Sequence, residues 1–261
     1  MDIIPDLKAL ISYLMEEKAK RENGNVDILP DDERILFRRY RAMVNTRPPM
    51  PAPDWFFEAE RRVLSERLDR RGVVGIDGTT LFPCGVRLWQ GDITRLGIDG
   101  IVNAANSRMQ GCFIACHNCI DNIIHTNAGI MLRRECARVS ESLGGSLGVG
   151  CAVVTGGYNL PCRYVIHTVG PRVEGSPEAK DMEALSDCYK NCIIQAKAFD
   201  MRSLAFCCIS TGEFSFPRRQ AAEIAIDTGL KEKGGIEVVF DVCTDEDYRI
   251  YKEILAKRSG I

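Results

Sequence analysis

Through the first seventy residues the apolar positions recur at helical spacing. Ile3, Leu7, Leu10, Ile11 and Leu14 fall on one face of a helix. A second helix is expected after Asp31, running through Ile35, Leu36 and Tyr40. The proline-rich stretch from Arg47 to Pro53 breaks the helical pattern, since proline has no N–H to continue it. Asp54 is placed to cap a third helix carrying Trp55, Phe56, Val63 and Leu68. The pattern predicts a helical extension over residues 1–71, packed on the rest of the chain.

From Gly72 onward the pattern changes to short apolar runs separated by longer amphipathic ones. Strands are expected at 73–76, 86–90, 100–104, 151–155, 164–169, 204–209 and 237–242. Helices are expected at 120–139, 181–199, 218–232 and 246–257. Strands alternating with helices predict an α/β fold over residues 72–261, a three-layer sandwich with helices on both faces of a largely parallel sheet. In such folds ligands gather at the carboxyl ends of the strands. Here those loops hold the unusual residues: Gly91-Asp92, Asn103 to Cys119, and Ser210 to Phe216.

Composition removes several function classes. A formal net charge of -2 gives no basic excess for nucleic acid. No apolar run approaches the length of a membrane span. The start of the chain carries Asp2 and Asp6 before its first lysine, unlike the basic start of an export signal, so a cytoplasmic protein with reduced cysteines is expected. Most of the 12 cysteines sit singly in apolar runs and are expected to pack as small hydrophobes.

Each strand-end loop admits a local and a chemical reading. Asp92 is placed either to cap the turn opening at Ile93 or to accept from an exocyclic amine. One of Asn103 and Asn106 is expected to hold the turn after its strand, and the other to reach a ligand hydroxyl. Asp121, at a helix start, either answers the helix dipole or activates water. The segment Ser210 to Phe216 has the small residues of an anion cradle at a helix entrance, and its two phenylalanines suit packing against a sugar or base.

The exception among the cysteines lies between Gly111 and Asp121. Cys112, His117 and Cys119 have the spacing C-x4-H-x-C, and thiolate and imidazole are natural zinc ligands. Three protein ligands leave a fourth position open, the pattern of a catalytic zinc. Cys116 adjoins His117, and neighbouring side chains diverge, so Cys116 is expected to stay out of the metal's shell. His125 and His167 lie in apolar runs and are expected to be satisfied core histidines.

Six collinear segments together resemble the macrodomain, the ADP-ribose-binding module. They are Gly91-Asp-Ile-Thr94, Asp99 to Asn106, Ile120 to His125 with Ala128-Gly129, Thr155 to Pro161, Tyr164 to Pro171, and Cys208 to Pro217. The variety resembled is the MacroD-type hydrolase that removes ADP-ribose from proteins. A Cys/His loop replaces the short glycine run usual there. That departure resembles the zinc-dependent subfamily of Gram-positive bacteria and fungi, which also has an N-terminal helical extension.

The resemblance implies one zinc per chain, beside the distal ribose, held by Cys112, His117 and Cys119. It implies ADP-ribose contacts from Asp92 and Ile93 at adenine, Asn106 at the distal ribose, and Ile120, Asp121 and Asn122 at ribose and phosphate. Thr211, Gly212, Glu213 and Phe214 would line the diphosphate and distal-ribose side. Glu213 stands where a small or apolar residue is usual, which puts a carboxylate near the diphosphate or leaves only its backbone to face the ligand. The expected activity is zinc-dependent removal of mono-ADP-ribose from an Asp or Glu side chain, with Asp121 as base and Asn106 as positioning group. The implied substrate is a lipoylated carrier protein of the glycine-cleavage type, modified by a sirtuin-like transferase. Two rivals remain: an ADP-ribose reader with a structural zinc, and a zinc-ribbon-like interaction protein. The lack of a second ligand pair and the neutral charge balance disfavour the latter.

Overall fold

The structure, a computed structural model, describes residues 2–22 and 29–261. Seven strands form one sheet: β1 (Thr80–Leu81), β2 (Arg87–Gln90), β3 (Gly100–Ala104), β4 (Ala152–Gly156), β5 (Tyr164–Thr168), β6 (Ser203–Phe206) and β7 (Glu237–Val242). Their order is β1-β2-β7-β6-β3-β5-β4. The five central strands run parallel; β1 and β4 run antiparallel at the two edges. Helices α4 (Ile120–Ala128), α5 (Ile130–Ser142), α6 (Ala179–Ala198), α7 (Arg218–Glu232) and α8 (Asp245–Ser259) complete the expected three-layer α/β/α sandwich. The central strands are apolar nearly throughout because both sheet faces are covered. Ile101, Val102, Val165, Leu204, Phe206 and Val238 are fully buried. Cys188, Cys192 and Cys207 pack among them as small hydrophobes.

Three helices precede the sheet: α1 (Ile4–Glu22), α2 (Glu33–Thr46) and α3 (Asp54–Arg71). They form their own apolar cluster around Leu7, Leu10, Leu36, Tyr40, Phe56 and Val63. Ile130 of α5 is the buried residue that the sheet-bearing part contributes to that cluster. Asp32 caps α2, accepting from the N–H groups of Arg34 and Ile35, so the helix starts one residue after that cap. Ile35 itself is exposed, and the apolar face runs through Leu36, Tyr40 and Val44. Among the described residues no helix is long and apolar enough to cross a membrane.

The elements differ from the sequence expectation in four places. The strand expected at 73–76 is only an isolated bridge between Val74 and Leu96, and the edge is taken by the β1–β2 hairpin. Glycines at 72, 75 and 78 punctuate that run too often for a ladder to extend. The helix expected at 120–139 is two helices meeting at Gly129, whose φ is +87°. A Cβ there would stand 2.4 Å from Glu60 Oε2 and 2.8 Å from Asn159 Nδ2, so the close approach of α3 requires glycine. Asp54 lies inside the first turn of α3, and Pro53 occupies the cap position without a side-chain bond. The strand expected to reach 209 ends at Phe206, and the chain beyond turns into the cleft.

Candidate active site

A cleft of about 1130 Å³ opens at the carboxyl ends of β2, β3, β6 and β7. Every ADP-ribose and metal residue that the resemblance implies lines it except Asn122, while Asn103 and Phe216 also stand outside the lining. Asn122 is fully buried, and its amide donates to the carbonyl of Ile114 at 2.9 Å. It braces the Cys/His loop from behind rather than facing a ribose or phosphate.

Asp121 sits in the first turn of α4, buried at the cleft floor. Asn103 donates to its Oδ1 at 2.8 Å and Asn106 to its Oδ2 at 3.2 Å. Both asparagines therefore hold the carboxylate, and Asn106 also holds the turn, donating to the Gly111 carbonyl and accepting from the Arg108 N–H. Burial pushes the Asp121 carboxyl up to about 6, opposed by the Asn103 bond, the Arg133 charge and the Asn106 bond. It is thus mainly ionised at neutral pH, and a better base than an ordinary aspartate.

His125 and His167 lie beneath Asp121. Asn103 donates to His167 Nδ1, which leaves the Nε2 proton to Thr155 Oγ1 at 2.9 Å. His167 is the satisfied core histidine expected. His125 is not: neither ring nitrogen has a hydrogen-bond partner, and Nε2 lies 3.5 Å from Asp121 Oδ1. Burial drives its pKa well below the usual range, with smaller contributions from Arg133 and His167, so it is neutral.

The loop from 105 to 119 carries the soft donors. Cys112 Sγ and His117 Nδ1 are 3.5 Å apart, and the donor atoms of Cys112, His117 and Cys119 all lie within 4.8 Å of one another. Burial is the main cause pushing the Cys119 thiol up to about 12, eased by the Asn122 N–H that it accepts and raised further by Cys112 and Asp121. A divalent cation binding here would displace the Cys119 proton, since the thiolate is the ligand. Cys116, with φ of +54°, turns away and donates to the Arg38 carbonyl at 3.4 Å. Gly111 begins the loop at φ +80°; a Cβ there would stand 2.9 Å from His125 Cγ.

At the opposite end, Asp92 does what the local reading expected and more. Its Oδ1 accepts from the N–H and hydroxyl of Thr94, and its Oδ2 takes Arg71 Nη1 at 2.7 Å. Between the two ends, the 210–216 segment crosses the cleft mouth. Phe214 is half-buried there, whereas Phe216 is buried in the core and anchors the segment. Glu213 is exposed, and its Oε1 stands 3.7 Å from His117 Nε2. Its carboxylate is thus directed to the Cys/His loop.

The Macro domain family profile matches residues 102–225. The protein-ADP-ribose hydrolase of Staphylococcus aureus strain MSSA476 is 43% identical over 260 residues, covering 97% of both chains. The protein-ADP-ribose hydrolase of Treponema medium is 38% identical over 257 residues, covering 95% of this chain and 97% of its own. Among solved structures, the Trypanosoma brucei macrodomain in complex with ADP-ribose superposes with a TM-score of 0.62 at 30% identity, over 82% of this chain and 94% of its own. The Oceanobacillus iheyensis macrodomain with ADP gives 0.60 at 33% identity, over 66% of this chain and 92% of its own. This chain belongs to the macrodomain family.

Several residues that shape this macrodomain's cleft escape a sequence reading, most of them because they come from the extension. Arg41 Nη2 donates to the His117 carbonyl at 2.5 Å and to Asn122 Oδ1 at 3.1 Å. Asn45 accepts from the Cys116 N–H and donates to Thr126. Arg133 of α5 donates to the carbonyls of Asn45 and Arg47, and its guanidinium lies 4.3 Å from the centre of the Phe113 ring. Arg71 pairs Asp92 and also donates to Asn127. Nothing in local periodicity marks these arginines as cleft residues. Asp241 was also missed, hidden in an apolar strand run where its charge was the one available signal.

Proposed function

We propose that this macrodomain is a zinc-dependent protein-ADP-ribose hydrolase that removes mono-ADP-ribose from an Asp or Glu side chain. The observation that carries the reading is the placement of Asp121. It is a buried carboxylate at the cleft floor, gripped by Asn103 and Asn106, one turn from a Cys/His cluster lining the same cavity. The relatives that match nearly the whole chain are protein-ADP-ribose hydrolases, which supports the same activity here.

In this reading the adenine lies at the Asp92 end and the distal ribose between Asn106 and the Cys/His loop. Asp121 takes the proton of the attacking water; the ester gives back a free carboxylate on the acceptor and a free hydroxyl on the ribose. Asn103 and Asn106 fix the carboxylate's orientation, so little ordering remains for the reaction itself. Cys112, His117 and Cys119 would hold zinc, which when bound supplies Lewis-acid polarisation of an oxygen at the distal ribose or linkage. The acceptor we propose is a carrier protein of the lipoylated kind that the family resemblance implies.

The test measures release of ADP-ribose from a mono-ADP-ribosylated protein, with metal content followed in parallel. Cys112→Ala, His117→Ala and Cys119→Ala should each lose the metal and the activity, whereas Cys116→Ala keeps both. Binding of ADP-ribose without release by the metal-loaded protein would reduce the macrodomain to a reader. Release that survives complete removal of zinc would leave the hydrolase and sink the metal's part in it.

A further inference from the structure

Asp241 is an unusual residue for the interior of a parallel sheet. It stands on β7 opposite Trp89 of β2, with Phe240 beside it in the apolar core. Adjacent strand residues point to opposite faces, so Phe240 and Asp241 diverge. Asp241 lines the cleft, is only 5% exposed, and its buried Oδ1 has no hydrogen-bond partner. A buried carboxyl serving structure alone is normally paired, because an isolated one is costly. The nearby guanidinium of Arg218 is already engaged by Asp247 at 2.6 Å.

The neighbouring carboxyl is the opposite case. The N–H of Gly91 bonds the carbonyl of Val242, which brings the end of β2 and Asp92 alongside the end of β7. Arg71 and Thr94 both donate to Asp92, which fixes it as an acceptor. Burial, and then the charge of Asp92, drive the Asp241 carboxyl well above the usual carboxylate range, so it carries a proton and can donate. One end of the cleft therefore offers an acceptor and a donor side by side. Adenine offers the complement: an exocyclic amine that donates, flanked by ring nitrogens N1 and N7 that accept.

We propose that Asp241 is a base-reading residue that donates from its carboxyl O–H to N1 or N7 of the adenine, while Asp92 accepts from the exocyclic amine. The proposal rests on the ADP-ribose reading of the cleft and adds a second polar contact to its adenine end.

Calorimetric titration tests this with ADP-ribose and its 1-deaza-adenine and 7-deaza-adenine analogues, on the wild-type chain and on Asp241→Val, Asp241→Ala and Asp241→Asn. The wild type should bind one deaza analogue about tenfold more weakly than ADP-ribose, the loss of one hydrogen bond. Asp241→Val and Asp241→Ala should bind ADP-ribose about tenfold more weakly and no longer distinguish that analogue, as a double-mutant cycle requires of a direct partner. Asp241→Asn keeps an N–H donor and should bind within about threefold of wild type. Having two apolar variants and one amide variant keeps the test open should one of them fold poorly. Undiminished discrimination in both apolar variants overturns the inference while leaving ADP-ribose in the cleft. Failure of the wild type to bind ADP-ribose at all overturns the reading of the cleft, and the inference with it.

Discussion

The two ends of the cleft are built from different parts of the chain. At the Asp92 end the sheet does most of the placing. The β2–β7 register sets Asp241, the Gly91–Val242 bond sets the turn, and Asp92 closes that turn on Thr94. At the other end Cys112, His117 and Cys119, the proposed metal donors, ride on a loop without regular structure from 105 to 119. That loop is held from outside, by Arg41 on the His117 carbonyl, Asn45 on the Cys116 N–H and Arg133 against Phe113. A strand end positions a short polar turn with a single arginine of the extension, Arg71, added on Asp92. A long irregular loop that gathers two thiols and an imidazole needs a second wall, and the helical extension is that wall.

The comparison predicts that the two ends fail differently. Asp121→Asn removes the proposed base and leaves Asn103 or Asn106 facing an N–H instead of an oxygen. Turnover at saturating substrate should fall by about 100- to 10,000-fold. Asp92→Ala, at the other end, should mainly raise KM and leave kcat nearly intact, because it removes binding common to ground and transition states. Steady-state kinetics on a modified protein separates the two. Equal effects on kcat at both ends would break the division of labour.

The next effect concerns the seam behind the metal loop. Glu60 of α3 is buried and accepts from the Tyr40 hydroxyl of α2 and the Ile130 N–H of α5. Burial pushes its carboxyl up to about 7, against the pull of Tyr40, the Ile130 N–H and Arg47. The folded state thus holds this proton more tightly than the unfolded chain. The resulting stability is fully present below the ordinary glutamate range and is lost as pH rises through about 7. The loss should be on the order of 3 kcal/mol, read from urea unfolding at successive pH values. Glu60→Gln should flatten that slope. A slope unchanged in the variant would assign the pH dependence to other groups.

What the sequence revealed of this design follows from the range of each interaction. The three-layer sheet was legible because apolar strands repeat between amphipathic helices, and the C-x4-H-x-C donors because they are close in sequence. The break at Gly129 was not, since it answers a carboxylate 69 positions earlier that no local pattern announces. The same holds for Asn122 and Glu213. Their residue types suit a ligand, but Asn122 is engaged by Arg41, 81 positions away, and Glu213 faces His117 across the cleft. Asp241 was overlooked for a different reason: a strand read by its apolar neighbours absorbs one charged position without changing its period.

The smallest predicted effect is the most direct test of the extension as a wall. Arg41 contributes no metal donor; it acts through the His117 carbonyl and the Asn122 amide that itself supports Ile114. Such supporting bonds around a metal site typically change affinity by about 10- to 100-fold, and Arg41→Ala should fall at the lower end because Asn45 still holds Cys116. Competition with a chromophoric chelator gives the affinity independently of turnover. Arg71→Met is the matched control, removing an extension arginine that reaches the other end, and should leave metal affinity unchanged. If both variants lose metal equally, the extension acts by general stability. If only Arg41→Ala does, α2 is a specific support of the metal loop.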